Sequence, residues 1–171
     1  MKNILQDLSR AAAVLDVGTV ERITQKISRA ERIFVYGAGR SGLMLRAFAM
    51  RLMQMGKTVY VVGETITPAI GPGDVLVLAS ASGKTHSVCH YAQEGQAAGA
   101  ELLVISASQN SPLSGLQTPD VLLSAPNKDS AASNQIMGTL FEQMLLLLCD
   151  AACAAMHPDA QAMRQRHANL E

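Results

Sequence analysis

Ser80, Ser82 and Thr85 stand with Ala81, Gly83 and Lys84 in the stretch S-A-S-G-K-T (80–85), which crowds hydroxyls and a glycine into one short turn. The run before it, V-L-V-L-A (75–79), has the length and branched content of a buried strand, and residues 87–98 after it read as a helix. Strand, hydroxyl-rich turn and helix start form an arrangement that captures phosphate. Unpaired N–H groups and the positive end of the helix dipole face the anion while Ser and Thr hydroxyls wrap it. The plainer alternative is that these hydroxyls only cap the helix.

A second chemistry-bearing turn is G-A-G-R-S-G (37–42), which carries Gly37, Gly39, Arg40, Ser41 and Gly42. It fits the dinucleotide template G-x-G-x-x-G, it lies between an expected strand (32–36) and an expected helix (43–55), and Glu64 ends the next strand (59–62) where a ribose-binding acid would sit. The same glycines would equally let a sugar approach the carboxyl ends of the strands, and a second anion turn at 80–85 has no place in the dinucleotide scheme. S-G-K-T is not a nucleotide P-loop, because Leu78 stands where that template needs glycine. Lys84 then either adds positive charge near a phosphate or points into water. His86 and His90, one helical turn apart, lack a companion metal ligand and read as ordinary helix residues.

These turns need a scaffold. Further strands are expected at 102–106 and 121–123, and strands separated by helical stretches make a parallel sheet, since each parallel crossover needs about a dozen residues or more. The fold class is therefore α/β, a three-layer sandwich with a five-stranded parallel sheet. Ile4, Leu5, Leu8, Ala11, Ala12 and Leu15, then Val20, Ile23 and Ile27 after Gly18, predict two amphipathic helices within residues 1–30. That pair needs a surface to cover, which a second subunit could supply. Residues 128–133 read as a loop with Asp129, Ser130 and Ser133 as candidate caps, and one very apolar helix is expected from about 133 to 156, ended by His157-Pro158. Residues 158–171 read as a tail.

Composition narrows the function classes. The chain has 171 residues, 49% of them hydrophobic, and Lys plus Arg equals Asp plus Glu at 14 each. One domain with a substantial core is expected, and the balanced charge gives no electrostatic reason to bind nucleic acid or an anionic membrane. No apolar stretch approaches the ~20 residues that span a bilayer, and the first residues lack a signal peptide's apolar core, so a cytoplasmic location is the default expectation. Cys89, Cys149 and Cys153 have no metal-ligand spacing and read as buried free thiols.

Five blocks together carry a resemblance: Y-G-A-G-R-S-G (36–42), V-V-G-E-T-x-T-P-A-I (61–70), S-A-S-G-K-T (80–85), M-G-T-L-F-E-Q (137–143) and R-H-A-N-L-E (166–171). In this order, over nearly the whole chain, they closely resemble the 6-phospho-3-hexuloisomerases of the sugar isomerase (SIS) domain family. Relatives commonly have glycine where this chain has Ala81, proline where it has Ile136 and glutamate where it has Lys84; the hydroxyls are kept, so the departures bear on substrate detail more than on phosphate capture.

The resemblance implies a single SIS domain over 1–171 and interconversion of D-arabino-hex-3-ulose 6-phosphate with fructose 6-phosphate in the ribulose monophosphate pathway. It implies no metal or organic cofactor, and a homotetramer. Glu142 would be the proton acceptor, Ser41 would bind substrate, and residues 80–85 would hold its phosphate. Spacing agrees for Glu142: it stands on a largely apolar helix, where a buried carboxylate must be either partnered or raised in pKa. A surface-facing glutamate and a merely capping Ser41 are the bland readings. His167 would act as a proton shuttle or hydroxyl ligand at this or a neighbour's site, against the reading of a solvated terminal histidine. Arg40, Arg46, Glu64 and Gly39 are secondary candidates. A non-catalytic sugar-phosphate-sensing module is the competing reading, and Glu142 discriminates, because a sensor needs the serine turn but no base.

Overall fold

Runs of Val, Leu and Ile without charge can persist only where both faces of a sheet are covered. The computed structural model, which describes residues 1–125 and 135–170, places them there. Strands β1 (Ile33–Gly37), β2 (Val59–Val61), β3 (Val75–Ser80), β4 (Glu101–Ser106) and β5 (Val121–Leu122) form one parallel sheet in the order β2-β1-β3-β4-β5. All six residues of β3, its central strand, are buried.

Side chains alternate between two cores, as the two-residue strand period requires. Ile33, Val35, Val75, Val77, Leu103 and Ile105 face the larger core under helices α1 (Lys2–Ala13), α2 (Thr19–Arg29), α3 (Gly39–Gln54) and α6 (Thr139–Ala155). Phe34, Leu76, Leu78, Leu102 and Val104 face the smaller core under α4 (His86–Ala97) and α5 (Pro112–Leu116). The expected three layers, five parallel strands and paired N-terminal helices are all present.

Four local features differ from expectation. α3 begins at Gly39 rather than 43, because residues 39–42 of the glycine turn are themselves the first turn of the helix. α6 begins at Thr139 rather than near 133: Met137 and Gly138 both have left-handed backbone (φ 56° and 78°), which a continuing helix forbids. α5, too short to show a hydrophobic period, was not anticipated. The tail contains a further helix, α7 (Ala160–Gln165), capped by Asp159, whose carboxylate accepts from the N–H groups of Gln161 and Ala162. The candidate caps at 129, 130 and 133 lie outside the described residues.

Cys149 and Cys153 are buried on α6, and burial pushes both thiols up, that of Cys153 to about 11. Cys89 is only half-buried. Among the described residues, no helix is long and apolar enough to cross a membrane.

Candidate active site

β1 is flanked by β2 on one side and β3 on the other, so the chain leaves β1 and β3 in opposite lateral directions. A crevice opens outside their carboxyl ends, the position where open parallel sheets bind ligands. The two turns singled out by sequence meet there, since Gly37 pairs with Ala79 in the ladder. In the first turn Gly42 lies against the end of β1 so closely that a Cβ would fall 2.2 Å from the Gly37 carbonyl oxygen. Gly39 (φ +58°) has open space around it and is needed for its left-handed backbone. These glycines thus serve the tight join of strand to helix, a role independent of any dinucleotide.

In the second turn the Ser80 hydroxyl accepts from the Gly83 N–H (3.1 Å) and lies 3.2 Å from the Thr85 hydroxyl, while the Ser82 hydroxyl accepts from the Lys84 N–H (3.2 Å). Thr85 is the N-cap of α4 yet makes no side-chain cap bond. The N-caps of α3 and α6, Ala38 and Gly138, make none either. All three caps line one cleft of about 370 Å³, together with Gly39, Arg40, Ser41, Ala79, Ser80, Ala81, Ser82, Met137 and Glu142. Three helix starts without side-chain caps around one hollow bring the positive ends of three helix dipoles together, which favours an anionic ligand.

Glu142, in the first turn of α6, is the one carboxylate among the described residues lining this cleft. Its side chain is 12% exposed and forms an ion pair with the Arg40 guanidinium, which is 60% exposed. Of the two conditions expected for a carboxylate on this apolar helix, the structure shows a partner. Phe141, Leu145 and Leu148 on the same helix are buried in the core, which fixes the azimuth of Glu142.

Other candidates fall elsewhere. Gly83 is buried beneath the turn, with its Cβ position 2.1 Å from the Ser111 hydroxyl; Lys84 is exposed; neither lines the cleft. Arg46 and Glu64 pair with each other at 2.5 Å, both about half exposed, outside the cleft. The acid that a ribose would need is therefore engaged by an arginine. Ser41 lies inside the first turn of α3 and is not its N-cap. His86 and His90 have no metal-binding cluster around them among the described residues.

His167 is exposed, with Nδ1 3.1 Å from the Ala168 carbonyl oxygen. The adjacent Arg166 holds the Gln54 carbonyl (3.4 Å) and covers Gly56 at the far end of α3. Sixteen residues of α3 span roughly 24 Å, so His167 lies about a helix length from the cleft of its own chain. Sequence missed the Arg40–Glu142 pair, whose partners are 102 positions apart, and the contribution of Met137 and Gly138. The glycine of M-G-T was the available signal for the latter.

A larger hollow of about 790 Å³ lies between α1 and β5, bordered by Asp7, Arg10, Val14, Leu122 and Leu140. It contains no candidate residue, and Ala125 on its rim precedes 126–134. The chemistry-bearing groups select the smaller cleft.

The sequence pattern of the SIS domain matches residues 26–148. The chain belongs to the SIS domain family. That match takes in both turns and Glu142 and leaves α1 and α7 outside. Within the SIS family it is 40% identical to a 3-hexulose-6-phosphate isomerase of Mycobacterium gastri, covering 98% of this chain and 88% of the relative. It is 36% identical to a protein of the same name in Bacillus subtilis, covering 98% and 95%. The crystal structure of a hypothetical protein from Methanococcus jannaschii, described as implying that same isomerase function, superposes with a TM-score of 0.82 at 31% identity, covering 99% of this chain and 96% of that one.

Proposed function

We propose that this SIS domain is a 3-hexulose-6-phosphate isomerase. The observation that carries the reading is a single cleft with an anion-binding turn, 80–85, on one wall and one carboxylate, Glu142, on another. A phosphate held by Ser80, Ser82, Thr85 and the first N–H groups of α4 fixes the sugar. Glu142 then takes the proton from C2 of the 3-ketose, giving an enediolate shared by C2 and C3, and returns a proton to C3 while the O2 hydroxyl proton passes to O3 and the carbonyl forms at C2. Electrons and atoms balance within the substrate, so the step needs no redox partner. Arg40, half in solvent, is free to leave Glu142 for the enediolate oxygens, and Ser41 binds a sugar hydroxyl. A purely sensing module would use the anion turn alone; a carboxylate in the same cleft favours the enzyme.

The assembly is proposed to be a homotetramer. Leu43, Met50 and Met53 on α3 and Leu147 on α6 leave apolar side chains exposed for a second copy. Its own cleft being a helix length away, His167 serves a neighbouring subunit. The reading places the chain in the cytoplasm, in formaldehyde assimilation through the ribulose monophosphate pathway. The decisive experiment supplies D-arabino-hex-3-ulose 6-phosphate and couples formation of fructose 6-phosphate to a dehydrogenase. Turnover that depends on Glu142 is expected, and no fructose 6-phosphate above the uncatalysed rate would overturn the reading.

A further inference from the structure

An anion turn has two kinds of main-chain pole, and it works only if its carbonyl oxygens are kept off the anion while its N–H groups face it. At 80–85 the carbonyls of Ser80, Ala81 and Gly83 are each held by a donor from one neighbouring segment. The Ser106 hydroxyl donates to the Ser80 carbonyl at 2.9 Å, the Ala107 N–H to Ala81 at 3.2 Å and the Leu113 N–H to Gly83 at 3.0 Å. Cys89 adds its thiol to the Gly83 carbonyl at 3.6 Å.

Ser106 is itself fully buried, at the last paired position of β3 and β4 opposite Ser80, and its hydroxyl also accepts the Ser108 N–H (3.1 Å). Its one proton has a second, longer acceptor in the Ser108 carbonyl (3.4 Å), so the 2.9 Å bond to Ser80 is the shorter of the two. The segment's far end is held as well. Ser111 and Ser114 form a reciprocal capping box at the start of α5, and the Ser111 hydroxyl occupies the space that a side chain at Gly83 would fill.

We propose that Ser106, with the segment from Ala107 to Ser114, is the positioning element of the phosphate turn: it holds three of the turn's carbonyl oxygens so that they are turned away from a bound phosphate. Ser106 touches no substrate, and its effect passes through Ser80. This inference rests on the sugar-phosphate reading for its ligand, but the arrangement of donors would serve any phosphate ester.

The test titrates inorganic phosphate into the unsubstituted protein, Ser106→Ala and Ser106→Thr by calorimetry, alongside isomerase kinetics. Ser106→Ala is expected to weaken phosphate binding about tenfold and raise KM by a similar factor while kcat changes less than about threefold, with threonine restoring most of the affinity. Ser111→Ala, half-buried and outside the core, keeps the measurement decisive if Ser106→Ala does not fold; it should weaken phosphate binding about threefold. A fall in melting temperature with phosphate affinity unchanged in both alanine variants would make the segment merely structural and overturn the proposal. Unsubstituted protein that binds phosphate in a Ser106-dependent way but turns over no hexulose phosphate would overturn the isomerase reading alone. Unsubstituted protein that binds no phosphate would overturn the proposal itself.

Discussion

The two ends of the sheet use polar groups in opposite ways. At the amino end, charges meet each other and the backbone. Asp74, buried ahead of β3, takes the Arg32 guanidinium at 2.6 and 2.8 Å and the Gly71 N–H at 2.8 Å, while Lys26 reaches Asp120 (2.7 Å) and the Leu102 carbonyl (2.7 Å). At the carboxyl end, three helices open without side-chain caps around a hollow, and one arginine shields one carboxylate. The first end closes its hydrogen bonds within the chain; the second leaves donors for a ligand. Stability and chemistry are thereby separated by the length of a strand, and substitutions should separate along the same line.

The largest expected effect is at the carboxyl end. Glu142→Gln should lower turnover by more than about a hundredfold while leaving phosphate-ester binding and melting temperature nearly unchanged, as read by the coupled assay and by calorimetry. Unchanged turnover would remove Glu142 from the mechanism. At the amino end the pattern should invert. Asp74→Ala should cost about 2 kcal/mol of stability, a drop of roughly 5 °C in melting temperature, with kcat at 25 °C unaltered. Loss of activity in a folded Asp74→Ala protein would show that the ends are coupled.

Smaller effects sharpen the contrast. Ser82→Ala should raise KM about tenfold with little change in kcat, and an effect confined to kcat would argue against a ground-state phosphate contact. The amino end should also set an acid dependence. Burial works to raise the Asp74 carboxyl, but the Arg32 and Gly71 bonds outweigh it and hold it below the usual value of 3.8. The contribution of Asp74 to stability is therefore complete above that value and is lost as pH falls through the lower folded one. Melting temperature followed downward from pH 5 should fall less steeply in Asp74→Asn than in the unsubstituted protein.

Much of this was legible from residues alone. The branched runs of β1, β3 and β4 fit only a doubly covered sheet, and Ser80, Ser82 and Thr85 after one such run already implied an anion. What sequence hid was tertiary. Arg40 and Glu142 meet only because α3 and α6 pack together, and nothing at either position announces the other. The helix α5, which Ser111 caps and whose Leu113 is buried, is too short to carry a period. Helix composition continued upstream of Thr139, yet left-handed backbone at Met137 and Gly138 ended it, a choice imposed by the local turn rather than by propensity.

One consequence follows from the way α6 carries its acid next to Phe141. A helix turns about 100° per residue. Deleting or inserting a single position between Thr139 and Leu148 would swing the carboxylate out of the hollow and drive polar groups into the larger core in the same stroke. This stretch can therefore change by substitution but not by a shift in length.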